Sequence, residues 1–497
     1  MVGLTIIPLD KATLVELLTS AARWEILNQK TKEYRAVNCP KAIAEGLLAR
    51  AGNWGFPVLA GIAEVPYMID GHIYDAPGYE PRTGVYLNSP DNKFSEILRN
   101  PTRLKAEKAL QKLKEVVKDF PFVEEVDGSV WISALLTTFA RLGLRSAPLF
   151  GITATVMGTG KSLLADLISI IATGRRTSVM SHVRDHNEEK KRLLSVLMEG
   201  DPIIAVDNIG EPWGSDAMAA ILTAETYKDR MLGLNSVITV PTTATWIATG
   251  NNLSFCGDLS TRVLVARLDP RCERPEDRSF DRDLLAWVPE HRAELVAACL
   301  TILGSYVAAR SPDLGLRPFG RFEDWSALVR AALVWLGQPD PCQARAHTEG
   351  SDPVKQSLGA MLAAWWASFR DTPKTVGQAV SSGGDELRET LLIVSGDKGC
   401  INLRKAGSWL AKYEGRVVEG LRFQRAGVYQ RSVLWSVVSV ESGEFGESCE
   451  FGHRHARENQ GGDSILNGRD QTHETPETHQ IRSCPRCSGE GCDWCCQ

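Results

Sequence analysis

The sequence predicts an α/β core: a largely parallel sheet carrying a phosphate-binding loop, with helical flanks, a C-terminal helix-and-hairpin unit and a short cysteine-rich tail. Three observations predict it. Between residues 146 and 270, short apolar runs alternate with helical segments. Such alternation builds parallel sheets because the crossover helices cover the sheet's faces. One of those runs leads into Thr155-Val156-Met157-Gly158-Thr159-Gly160-Lys161-Ser162 and then into an apolar helix. Beyond the core, basic residues gather in residues 401–440, and five of the twelve cysteines fall in the last fourteen residues.

At 497 residues, 43% hydrophobic and 24% charged, the chain has the composition of a folded protein of about three domains. The longest apolar stretch, 295–309, is broken by Thr301, Gly304, Ser305 and Tyr306. It is too short and too interrupted to span a bilayer. Residues 1–18 lack a basic leading segment and carry Asp10, which makes a poor secretory signal. The seven cysteines outside the tail stand singly, fitting a reducing compartment rather than a disulfide framework. A cytoplasmic location without membrane attachment is therefore expected. With a net charge of −5, any nucleic-acid contact must come from local basic patches.

Residues 1–92 open with an amphipathic stretch, 14–26, followed by turn-rich segments, and read as an N-terminal accessory domain. Residues 93–145 read as a helical segment. Within it a helix is predicted over 102–118, where Ala106, Ala109, Leu110, Leu113, Val116 and Val117 recur at helical spacing. Lys105, Lys108, Lys112 and Lys114 between them read as a solvated face, with DNA contact the lesser alternative. In the core, 146–270, the strand candidates are 150–154, 203–206, 237–240, 246–248 and 263–268. Residues 271–345 read as a helical lid, with Trp287, Leu295, Leu300, Trp325, Leu328 and Trp335 as core. A linker and helix occupy 346–385. In 386–440 a helix over 402–413, capped by Asn402, carries Leu403, Ala406, Trp409 and Leu410 on one face. Strands at 417–423 and 433–440, joined by a turn around Gly427, follow it. Helix plus hairpin predicts a winged-helix-like unit. Residues 441–480, rich in Glu, Gly, His and Asn, read as a disordered linker, and 481–497 form the tail.

The loop is the strongest chemical signal. Gly158 and Gly160 let backbone amides turn toward a triphosphate, and the following helix adds the positive end of its dipole. Lys161 is placed to reach the β and γ phosphates of ATP, and Ser162 to hold Mg²⁺. Thr155 stands where the first loop glycine is usual. A second strand, 203–206, ends in Asp207, the candidate carboxylate for Mg²⁺. Asn208 follows it, an amide that cannot act as a base; Glu211 is the substitute acid. A third run, Thr245-Trp246-Ile247-Ala248-Thr249-Gly250-Asn251-Asn252, delivers an amide near the γ-phosphate. Asn251 is the candidate, with Asn252 close behind. Arg262, after Asp258-Leu259-Ser260-Thr261, is read as a finger on a neighbouring subunit's nucleotide or as the partner of Asp258.

Taken together, Gly158 to Ser162, Asp207-Asn208, Ala248 to Asn252 and Asp258 to Arg262 resemble the AAA+ ATPases, and more narrowly the superfamily 3 helicases. Residues from about 40 to 440 look like the helicase-like portion of phage and prophage primase–helicase proteins, with Asp283-Leu284-Leu285-Ala286-Trp287 and Val334-Trp335-Leu336-Gly337 similar to their helical part. The resemblance implies a homo-oligomeric ring that hydrolyses Mg-ATP between subunits. No primase catalytic cluster is visible in residues 1–92, so a primase partner is expected on a separate chain.

Residues 401–440 hold seven basic side chains (Arg404, Lys405, Lys412, Arg416, Arg422, Arg425, Arg431) against Glu414 and Glu419. Such a patch suits phosphate contact; a packing or oligomer domain with a basic face is the alternative. In the tail, Cys484, Cys487, Cys492 and Cys495 form two C-x-x-C knuckles four residues apart, able to supply four thiolates to Zn²⁺. The tail also resembles one repeat of the DnaJ cysteine-rich region. A reduced tail without metal is the alternative.

The sequence thus points to an ATP-dependent DNA helicase or translocase of a phage or integrated element, acting on single-stranded or forked DNA. The alternative is an ATP-switched DNA-binding or helicase-loader protein with weak hydrolysis. A small-molecule kinase lacks an evident acceptor site.

Overall fold

The computed structural model describes residues 4–440, apart from 5, 8, 51–52, 90–93, 95–96, 231–236, 279 and 398. In chain order the central strands are β1 (Leu149–Ala154), β2 (Ser178–Ser181), β3 (Ile203–Asp207), β4 (Thr226–Arg230), β5 (Val237–Pro241), β6 (Thr245–Asn251) and β7 (Val263–Leu268). Five of them form a parallel sheet in the order β7-β1-β6-β3-β2. Strands β1, β3, β6 and β7 are buried along almost their whole length. That is why they read as unbroken apolar runs: both faces of a parallel sheet are covered.

The covering helices are α1 (Arg103–Val117), α2 (Glu125–Ala140), α3 (Lys161–Thr173), α4 (His186–Glu199), α5 (Asp216–Thr223), α6 (Leu284–Glu290) and α7 (Arg292–Ala308). The six apolar residues expected to line α1 are its buried ones, and its four lysines are exposed. Helix α2 is buried nearly all round, including Trp131, Leu135, Leu136 and Phe139. A helix apolar on every side belongs in the centre of a protein. Trp131 Nε1 donates to Leu164 O of α3 at 3.0 Å, tying this helix to the one that begins at the phosphate loop.

One strand expectation needs correction. Residues 237–240 do not join the central sheet. They lie in β5, which pairs antiparallel with β4 as a separate hairpin, Thr226 opposite Pro241 and Arg230 opposite Val237. The burial of β5 alternates and Val237 is 59% exposed, the pattern of a strand with one wet face. The fifth strand of the sheet is instead β2, Ser-Val-Met-Ser. An edge strand needs an apolar partner on little of its surface, so its sequence carries almost no signal.

A second hydrophobic core gathers Leu358, Trp365, Leu387, Leu410, Phe423 and Trp435. It is built from α8 (Pro353–Phe369), β8 (Lys374–Thr375), α9 (Val376–Ser382), α10 (Asp385–Ser395), α11 (Leu403–Lys412), β9 (Leu421–Tyr429) and β10 (Ser432–Ser439). The three strands form an antiparallel sheet, β8-β10-β9. Asn402 caps α11 as expected, its Oδ1 accepting from Arg404 N and Lys405 N at 3.1 Å each. The hairpin turn is not at Gly427. It lies at Gln430-Arg431, both at positive φ, the backbone a two-residue hairpin turn requires. Gly427 (φ +114) instead sits where the β9–β10 register slips, between Arg425 and Val428. Among the described residues no helix is long and apolar enough to cross a membrane.

Candidate functional site

The loop after β1 closes on itself before it meets anything else. Thr159 Oγ1 donates to Val156 O at 2.8 Å. Gly158 and Gly160 take φ of +72° and +97°, which other residues rarely adopt. A Cβ at Gly160 would lie 2.9 Å from the ring of Phe120, and one at Gly158 would lie 2.9 Å from Glu276 Oε2. The loop is therefore clasped from outside, and its amides begin α3 immediately, with Lys161 the first helical residue.

Lys161 Nζ donates to Val156 O at 3.0 Å and to Asn251 Oδ1 at 2.7 Å. One of its three N–H groups remains for another acceptor. Partial burial lowers its pKa below the ordinary value, with the Asp207 charge opposing. Asp207 ends β3, and its carboxylate accepts from the hydroxyl of Thr249. Thr249 and Asn251 are two residues apart on β6, hence on one face of the strand. One contacts Asp207 and the other Lys161, so a single strand orients both charged groups. Asn252 takes φ +49°, is exposed, and uses its N–H on Ala154 O at 2.9 Å. Of the Asn pair, Asn251 is the one brought to Lys161. Ser162 is exposed beside them. A hydroxyl and a carboxylate are the hard oxygen donors that Mg²⁺ takes, so the residues present fit that ion.

The remaining candidates lie elsewhere. Asn208 takes φ +58°, and Glu211 is held by Arg184, Nε to Oε1 2.7 Å. Arg262 is not brought to the other three. Its carbonyl accepts from Leu149 N at 3.0 Å, beside the first residue of β1. Because β7 runs parallel to β1, Leu268 is the residue opposite Ala154. The loop and Arg262 are thus at opposite edges of the sheet, roughly 20 Å apart along the strands. The guanidinium is buried in its own chain, donating to Ala219 O and standing 3.2 Å from Asp258 Oδ2. Of the two sequence readings of Arg262, the pairing with Asp258 is the one made within the chain.

Sequence reasoning missed Thr249 and Phe120. A hydroxyl inside an otherwise apolar strand was the available signal for Thr249; nothing local marked Phe120. In the C-terminal unit Arg404, Lys412, Arg422 and Arg431 are exposed. Lys405 pairs with Asp397 at 3.1 Å, Arg425 with Glu414 at 2.9 Å, and Arg416 approaches Asp352 at 3.9 Å. Cys484, Cys487, Cys492 and Cys495, like the linker 441–480, lie outside the described residues.

No protein-family model and no curated protein matches the chain. Among solved structures it is similar to the apo C-terminal region of NrS-1 (residues 305–718), at 13% identity and a TM-score of 0.36, over 86% of this chain and 100% of that one. A second structure of the NrS-1 C-terminal region gives 14% and 0.35, over 87% and 100%. SCCmec type IV Cch, an active helicase, gives 13% and 0.35, over 84% of this chain and 90% of that one.

Proposed function

We propose that the chain is an ATPase acting on DNA, a helicase or translocase with its nucleotide site at the ends of β1, β3 and β6. The observation that carries the reading is the convergence of Lys161, Asn251, Thr249 and Asp207 at the mouth of a glycine loop that opens a helix. In this reading the loop amides and Lys161 bind the triphosphate, and Ser162 and Asp207 hold Mg²⁺. The metal supplies charge neutralisation on the phosphates. Asn251 keeps Lys161 aimed and is placed to orient a water. The unit from α9 to β10 is read as a winged helix, with α11 and the β9–β10 hairpin as its DNA-facing parts. Exposed Arg404, Lys412, Arg422 and Arg431 are the natural phosphate contacts. A ring in which Arg262 serves a neighbour, a separate primase and a zinc-binding tail remain parts of the proposal.

One observation favours the slower alternative, an ATP-switched DNA-binding or loader protein. No second acid follows Asp207: Asn208 is an amide, and Glu211 is tied to Arg184. The discriminating experiment is ATP turnover with and without single-stranded DNA, together with strand displacement on a forked duplex. Stimulated turnover with unwinding that Lys161→Ala abolishes supports the helicase. Nucleotide-dependent DNA binding without unwinding supports the switch. Turnover unchanged in Lys161→Ala refutes the site.

A further inference from the structure

Asp352 is 1% exposed. It caps α8, its Oδ1 accepting from Val354 N at 2.9 Å and Lys355 N at 3.3 Å. Capping occupies one carboxylate oxygen. The other, Oδ2, faces Ser260 Oγ at 3.3 Å and the Arg416 guanidinium at 3.9 Å. Ser260 belongs to the short turn Gly257–Thr261, and Arg416 lies in the stretch between α11 and β9. A carboxylate is costly to bury unless its oxygens find partners, so this group holds three elements to one point.

The turn at 257–261 is the direct continuation of β6. Only eight residues separate Asn251 from Ser260, and most are pinned. Asn252 N donates to Ala154 O at 2.9 Å, and Leu253 N donates to Thr153 Oγ1 at 2.9 Å. Ser254 O accepts from Trp213 N at 2.9 Å, and Cys256 N donates to Trp213 O at 3.0 Å. Trp213 lies on the segment leaving Asp207, where Ile209 N donates to Thr249 O at 3.1 Å. The two segments that leave the nucleotide site are therefore knitted together, and the one that continues β6 goes on to meet Asp352. A contiguous, tightly bonded route of this kind can carry a displacement between sites.

We infer that Asp352 is the joint through which nucleotide occupancy is felt by the C-terminal basic unit. It is a positioning residue that touches neither ligand, and the inference rests on the reading of both sites above. The test uses the full chain and a labelled single-stranded oligonucleotide. Its Kd is measured by anisotropy without nucleotide and with a non-hydrolysable ATP analogue and Mg²⁺. Coupling makes the two values differ, typically by about 5- to 150-fold. Asp352→Asn keeps a good capping residue but removes the charge facing Arg416. Arg416→Gln removes the other partner from a more exposed position. Both should bring the ratio to within about twofold of one, while analogue affinity holds in both and nucleotide-free DNA affinity holds in Asp352→Asn. An unchanged ratio in either folded variant overturns the inference, as does a wild-type ratio of one. Failure of the wild-type chain to bind analogue or oligonucleotide sinks the functional reading instead, and this inference with it.

Discussion

Thr249→Val is the most informative single change at the nucleotide site. Thr249 is 2% exposed, and its hydroxyl donates to the Asp207 carboxylate. Valine fills the same volume and keeps the β-branched shape that suits a strand. What it removes is one hydrogen bond to a charged acceptor, an interaction worth roughly 1.5–3 kcal/mol. Asp207 itself is only half-buried, so water can replace part of the loss. The lower end of that range is therefore expected. It corresponds to about a tenfold drop in turnover at fixed Mg²⁺, with the half-saturating Mg²⁺ concentration raised. Thermal unfolding should shift by no more than roughly 2–4 °C. Phosphate release measured across a Mg²⁺ titration, beside a melting curve, tests this. Wild-type turnover and wild-type Mg²⁺ dependence in the folded variant would show that Thr249 does not orient Asp207 for the metal.

Three further outcomes are expected. Burial lowers the Lys161 pKa below 10.5. A bound triphosphate would restore it, so binding takes up a proton and ATP affinity falls as pH rises through the alkaline range. Lys161→Arg, which stays charged, should flatten that dependence in nucleotide titrations. Arg262→Ala removes one donor from Ala219 O, which keeps Thr223 Oγ1 at 3.0 Å, and should cost about 0.5–1.5 kcal/mol in denaturant unfolding. Recovery of turnover on mixing it with Lys161→Ala would also give it a role in trans, whereas no recovery in co-assembled protein confines it to its own chain. Charge reversal at Arg404, Lys405 and Arg422 should weaken DNA binding and lower the log–log salt slope by roughly 2 to 3. Lys405 contributes least because Asp397 already holds it. An unchanged slope moves the DNA site elsewhere.

The phosphate loop, the apolar strands β1, β3, β6 and β7, the helix α1 and the Asn402 cap were legible in the sequence. Each depends on residues close together in the chain: glycine backbone freedom, period of burial, a side chain reaching its own helix start. Asp207 and Asn251 could be nominated for the same reason, as polar residues ending apolar runs, and Lys161 as the residue that follows the glycine loop. What the tertiary structure decided was adjacency. Lys161 meets Asn251 across 90 positions because β6 is inserted between β1 and β3. The same insertion gives Thr249 to Asp207. Parallel pairing of β7 with β1 puts Arg262 at the far edge of the sheet, and nothing near Arg262 in the sequence encodes that. Edge strand β2 and the β4–β5 hairpin escaped for a related reason. One carries too few apolar residues to show a period, and the other is apolar enough to resemble a core strand. Strand order is set by which long-range pairing buries the most surface with its hydrogen bonds satisfied, and that is a property of the whole chain rather than of any segment of it.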